Sequence, residues 1–241
     1  MEFKNTKKLC DAFLDMGIPC FDILVMKDGE VALRYMGGYA DPDAKTPMTG
    51  KEKYHIYSCS KLLTVVSALQ LWEKGLFQIE DELSQYLPEY KHMTVRTENG
   101  IVPATKPITI RNLFTMTAGF DYNLRSPSLL QLREDTEGRC PTREFARYLA
   151  KEPLMAEPGT EYRYSLGHDV LAALVEVLSG EKFEVYVKKN IFDPMGMTCS
   201  DFLKSPETYE EVTTLYGFKD GKAELRPKMP TYRVGTEHAS G

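Results

Sequence analysis

The run Tyr57-Ser58-Cys59-Ser60-Lys61 puts a serine hydroxyl and a lysine amine three residues apart at the opening of a helical pattern. Side chains three apart share one face of a helix, so the two can meet. A serine hydroxyl is a weak nucleophile until a neighbouring base takes its proton. A lysine can be that base when burial or nearby positive charge lowers its pKa. A helix N-terminus adds main-chain N–H groups and a positive dipole end, which suit a developing oxyanion. The chemistry in view is acyl transfer through a serine ester. The spacing alone is weak evidence, because eleven serines and 19 lysines in 241 residues give roughly one Ser-x-x-Lys by chance. A second copy stands at Ser179-Gly180-Glu181-Lys182, at a helix C-terminus where the dipole has the wrong sign. The plain alternative for the first copy is an N-capping Ser58 and a solvated Lys61.

A second feature is Glu157-Pro158-Gly159-Thr160-Glu161-Tyr162-Arg163-Tyr164-Ser165-Leu166-Gly167. A Pro-Gly turn leads into a short aromatic segment before a helix. A tyrosine there could carry a proton if its hydroxyl approached Ser58 and Lys61; the alternative is two rings packed under a loop. His55, His92, His168 and His238 show no metal-ligand spacing, and His168 and Asp169 are helix neighbours that point in different directions. The sequence has no HExxH, no phosphate-binding glycine loop and no Gly-x-Ser-x-Gly elbow. Glu80, Asp81 and Glu82 read as a solvated helix start.

The elements that must position these groups follow from periodicity and punctuation. A helix over 3–16 presents Phe3, Leu9, Phe13 and Leu14, and Gly17 closes it. Two strand-like runs, 21–27 and 30–36, are joined by Asp28-Gly29, a strong hairpin signal, and Gly37-Gly38 ends the second. Residues 58–74 form a helix whose expected buried face is Leu62, Val65, Val66, Leu69 and Trp72, with Gly75 at its end. Helices are also expected at 110–116, 142–151, 167–179 and 183–192, and a late hairpin at 216–225. The order is that of a helical domain inserted into an α/β sheet domain.

Composition narrows the partners. The formal charge is −5, from 30 Lys+Arg against 35 Asp+Glu, and no long basic run occurs, so neither a nucleic acid nor an anionic membrane is an expected partner. No apolar stretch reaches the length of a membrane span, and the first residues read as an amphipathic helix rather than a signal peptide. Cys10, Cys20, Cys59, Cys140 and Cys199 are an odd number without metal-like spacing, which suggests reduced thiols in a cytoplasmic protein.

Several segments together resemble the serine β-lactamase and penicillin-binding-protein-like hydrolases, in their class C β-lactamase and esterase branch. They are Gly29 to Ala40 with Thr46-Pro47-Met48-Thr49, Tyr57 to Gly75, Ile79 to Pro88, Ile108 to Phe120, Pro158 to Ser165 and Ile191 to Met197, in the family's order. The resemblance implies an α/β (α+β) fold of the β-lactamase/transpeptidase type, an antiparallel sheet flanked by helices plus a mostly helical domain. Residues 1–57 would open the sheet domain, 58–205 would form the helical domain, and 206–241 would begin the return to the sheet. It implies Ser58 as the acyl-accepting nucleophile, Lys61 as its base, and Tyr164 as the tyrosine sharing the proton work. The Ser58 main-chain N–H would be one oxyanion donor, and no cofactor or metal is required.

Two departures refine the expectation. The family's second motif is usually Tyr-x-Asn, and here it is Tyr164-Ser165-Leu166. Leucine cannot bind an acylamino group, which favours simple carboxylic esters or amides over β-lactams and cell-wall peptides. Met116 stands where many relatives carry histidine, a packing change. The third motif, of the Lys-Thr-Gly or His-x-Gly kind, has no counterpart, and the resemblance implies a chain cut in mid-domain. A complementary fragment or a homo-oligomer would then cover the open sheet edge, and the 241-residue piece alone could be inactive. The expected function is an esterase-like serine hydrolase; β-lactamase or D-alanyl-D-alanine carboxypeptidase, and a non-catalytic binding protein on the same fold, are the alternatives.

Overall fold

A computed structural model describes residues 2–202 and 212–225. In chain order the elements are α1 (Lys4–Asp15), β1 (Cys20–Lys27), β2 (Glu30–Asp41), β3 (Thr46–Pro47), α2 (Ser60–Glu73), β4 (Thr94–Thr97), β5 (Gly100–Pro103), α3 (Ile110–Phe114), α4 (Pro127–Asp135), α5 (Thr142–Leu149), α6 (Gly167–Ser179), α7 (Phe183–Val187), β6 (Tyr216–Lys219) and β7 (Lys222–Leu225). The described residues fall into two compact units, one of residues 2–55 and 212–225 and one of residues 56–202. Among the described residues no helix is long and apolar enough to cross a membrane.

The first unit carries small antiparallel sheets. Lys27 pairs with Glu30, so Asp28-Gly29 is a two-residue loop. Both take positive φ, 53° and 80°, as a turn matched to the strand twist requires. β2 does not stop at Gly37-Gly38, as the double glycine suggests, but runs on to Asp41 and pairs with β3. The glycines serve close approach instead: a Cβ on Gly38 would lie 2.1 Å from the Pro19 carbonyl oxygen. α1 buries Cys10 rather than Leu9, which is exposed. β6 and β7 form the expected late hairpin through Asp220-Gly221.

The second unit holds the main core. Residues 167–175 of α6 are buried without a break, the mark of a helix enclosed by its neighbours. α2, α3, α5 and α7 pack around it. Gly180, at φ 72°, stops α6 in the left-handed conformation expected of a capping glycine.

Further expectations need correction. α2 turns a different face to the core: Lys61, Thr64, Ser67, Ala68 and Leu71 are buried, while Leu62 and Trp72 are 69% and 41% exposed and Leu69 is also exposed. The helix is apolar nearly all round, so periodicity does not single out one face. Two of the polar members bond within the helix, Thr64 Oγ1 donating to the Ser60 carbonyl at 3.4 Å and Ser67 Oγ to the Leu63 carbonyl at 2.8 Å. α3 ends at Phe114 rather than Met116, because Met116 takes the left-handed φ of 55°. The 183–192 helix is α only to Val187 and continues as a π-helical turn, Lys188–Phe192. The β4–β5 hairpin, with its Glu98-Asn99 loop, and α4, begun by Ser126-Pro127, are additions to the pattern read from sequence.

Candidate active site

Ser58, Lys61, Tyr122, Tyr164 and His168 all belong to the second unit. Ser58 lies in a single 3₁₀ turn, Tyr57–Cys59, that leads directly into α2. The Cys59 N–H closes this turn on the Ile56 carbonyl at 2.9 Å. Tyr57, immediately before the serine, has φ 41°. A bulky residue in the left-handed region is an outlier of roughly 1–3 kcal/mol, and such strain collects at functional turns. Ser58 is therefore not a simple N-cap: the helix cap position is Cys59, and no side chain caps it.

Three residues on, Lys61 occupies the buried face of α2 and is only 6% exposed. It is not the solvated charge of the plain alternative. Its Nζ lies 5.4 Å from the ring centroid of Tyr164 and 5.8 Å from that of Tyr122. The two rings stack with centroids 5.5 Å apart and planes 19° from parallel. The ammonium and the ring centres thus form a nearly equilateral triangle, within range of cation–π attraction to both rings.

A lattice of main-chain bonds brings the tyrosines to the lysine. The Met155 N–H donates to the Gly119 carbonyl at 2.7 Å, Gly159 N–H to Thr117 at 2.8 Å, Arg163 N–H to Met116 at 2.8 Å, and Leu166 N–H to Asp121 at 3.4 Å. The segment carrying Tyr164 therefore runs alongside the segment carrying Tyr122. Gly119 permits this approach; its φ is 86°, and a Cβ there would sit 2.2 Å from the Ala156 carbonyl oxygen. A capping box between Thr109 and Asn112 begins α3 just upstream, and the Asn112 amide also donates to the Thr117 hydroxyl at 3.1 Å.

The sequence-based candidates thus converge in part. Lys61 and Tyr164 stand together, and Ser58 stands in the turn before Lys61. Tyr162 and Tyr164 do not pack under a loop; they are 69% and 44% exposed. Leu166 is in the core at 2%, and Met116 is buried with its sulfur 3.7 Å from the Ser165 hydroxyl. The second Ser-x-x-Lys is spent on structure, since the Ser179 hydroxyl accepts the Glu181 N–H across the end of α6. His238 lies outside the described residues.

Two residues near Lys61 carried no sequence signal strong enough to select them. Tyr122 is one; an aromatic residue just past the Gly119 stop is the only hint. His168 is the other. It is buried in the first turn of α6, and neither imidazole nitrogen makes a well-formed hydrogen bond. Burial pushes its pKa below the ordinary histidine value, the charge of Lys61 acts the same way, and the Phe114 main chain opposes them. Among the described residues, no three His, Cys, Asp or Glu side chains gather as a metal site would require.

The arrangement is a β-lactamase/transpeptidase-like fold presenting a serine, a buried lysine and a tyrosine, and solved structures share the fold. EstCE1, described as a hydrolase with promiscuous acyltransferase activity, superposes with a TM-score of 0.76 at 28% identity, over 93% of this chain and 58% of its own. The Beta-lactamase family model matches residues 7–238, and the chain belongs to that family. Lovastatin esterase of Penicillium rubens is 32% identical over 70% of this chain and 43% of its own. A Bacillus subtilis protein named as a penicillin-binding protein, PbpX, is 29% identical over 86% of this chain and 47% of its own. The chain spans about half the length of these curated relatives.

Proposed function

We propose that the protein at its natural length is a serine hydrolase acting on small carboxylic esters through an acyl-enzyme on Ser58. One observation carries this reading: Lys61 is withdrawn from water on the buried face of α2, with its amine 5.4 Å from the ring centre of Tyr164. A buried amine beside a phenol is suited to moving a proton, and a helix start one turn away is suited to presenting a nucleophile. In the proposed reaction the Lys61–Tyr164 pair starts one proton short, as a neutral amine beside the phenol or an ammonium beside the phenolate; Ser58 Oγ attacks the ester carbonyl and gives its proton to it. The Ser58 N–H stabilises the oxyanion, and the pair returns the proton to the departing alcohol. Water then attacks the acyl-enzyme, the pair takes the water's proton, and Ser58 regains a hydrogen as the acid leaves.

The ester preference draws support from Leu166, whose buried aliphatic side chain offers no hydrogen bond to an acylamino group, and from the esterases among the relatives. A β-lactamase or carboxypeptidase activity is the rival, favoured by the likeness to PbpX. The free cysteines favour a cytoplasmic setting for the ester reading. Turnover of a short-chain ester and of a chromogenic cephalosporin, measured side by side on the natural-length protein, decides between them. Faster hydrolysis of the ester is expected; faster hydrolysis of the cephalosporin overturns the preference.

A further inference from the structure

Resting on the ester reading above, we infer that Tyr122, stacked on Tyr164, forms a flat wall beside Lys61 that binds an aryl group of the substrate ester. The pair is not explained by core packing. Tyr122 is 39% and Tyr164 44% exposed, although Phe120 and Ser165, close to them in the two segments, are buried. Both rings therefore stand at the surface edge of the core, where a ligand can reach them.

The wall is preorganised. The Tyr122 N–H donates to the Asp121 carboxylate at 2.8 Å, and the Asp121 carbonyl accepts the Leu166 N–H, which ties the loop to the turn after Tyr164. A ligand therefore meets two rings already parallel and does not have to order them. Stacking covers the inner face of each ring and leaves an outer face as a planar surface with a π quadrupole, and a third ring extends such a stack better than a puckered saturated ring of similar area. The wall adjoins the Lys61 amine at 5.8 Å from the Tyr122 centroid. An ester lying against it would keep its polar group near the amine and its apolar ring against the tyrosines, the usual division of labour in a small-molecule site.

The test separates binding from turnover. Phenyl acetate and its saturated match, cyclohexyl acetate, are titrated by NMR against the 241-residue chain carrying Ser58→Ala, which cannot form an acyl-enzyme. Phenyl acetate is expected to bind roughly two- to tenfold tighter, the range of one aromatic stacking contact. Adding Tyr122→Leu brings the ratio to one, and adding Tyr122→Phe keeps it. Independently of any change at Tyr122, the Ser58→Ala chain shows nuclear Overhauser contacts between the phenyl protons and the Tyr122 ring. A ratio of one before Tyr122 is changed, no binding of either ester, or a ratio that survives Tyr122→Leu overturns the proposal. Labelling of unmutated protein by a fluorophosphonate reports on Ser58 separately. Absent labelling with the aryl preference intact removes the hydrolase reading and leaves the wall; labelling without the preference does the reverse.

Discussion

Lys61 and His168 are two polar side chains that the core encloses at some cost. A charged lysine is rarely withdrawn from water without compensation, and two tyrosine rings supply part of it here. His168 feels that charge, and burial already disfavours its own. The consequence for pH has a definite sign. The folded state resists protonating His168, whereas the unfolded chain takes up the proton near the ordinary value of 6.5. Above that pH the residue adds no pH dependence to stability; as pH falls below it, the unfolded state binds more protons and stability drops. Urea midpoints measured from pH 7.5 to pH 5 should therefore fall, and His168→Asn should flatten the decline. An identical slope in both proteins would show that His168 plays no part in it.

At the scale of elements, α2 is where sequence and structure part most informatively. Its place, its end and the Ser58–Lys61 spacing are legible in the residues, because Gly75 and the length of the apolar run define a helix. Its orientation is not, because apolar residues surround it and the deciding information lies in what α6 and the following segments present. The corrected face makes a contrast that mutation can read. Leu71 is 2% exposed, and Leu71→Ala should destabilise by about 2–5 kcal/mol. Leu62→Ala should change stability by no more than about 0.5 kcal/mol. Equal effects in thermal or urea unfolding would restore the face read from periodicity. The missed hairpin has a physical cause: β4 and β5 are four residues each, and β4 is anchored by a tertiary bond, Leu154 N–H to the Thr94 carbonyl at 2.7 Å, which no local pattern encodes.

For the whole molecule, the order of motifs along the chain was the legible part, and it led to the family that the comparison shows. Ser58, Lys61 and Tyr164 could be named from that order. Tyr122 could not, because a ring stack between residues 42 positions apart exists only after Gly119 and the Gly159 turn have brought their segments side by side. The chain also spans about half the length of its curated relatives, so the hydrolase reading stands or falls with the serine. The most direct measurement treats the natural-length protein with a fluorophosphonate and maps the adduct by peptide mass spectrometry. A single adduct is predicted on the peptide carrying Ser58, and none in Ser58→Ala. No adduct on the unmutated protein, or the same adduct in the variant, would contradict an acyl-enzyme on Ser58.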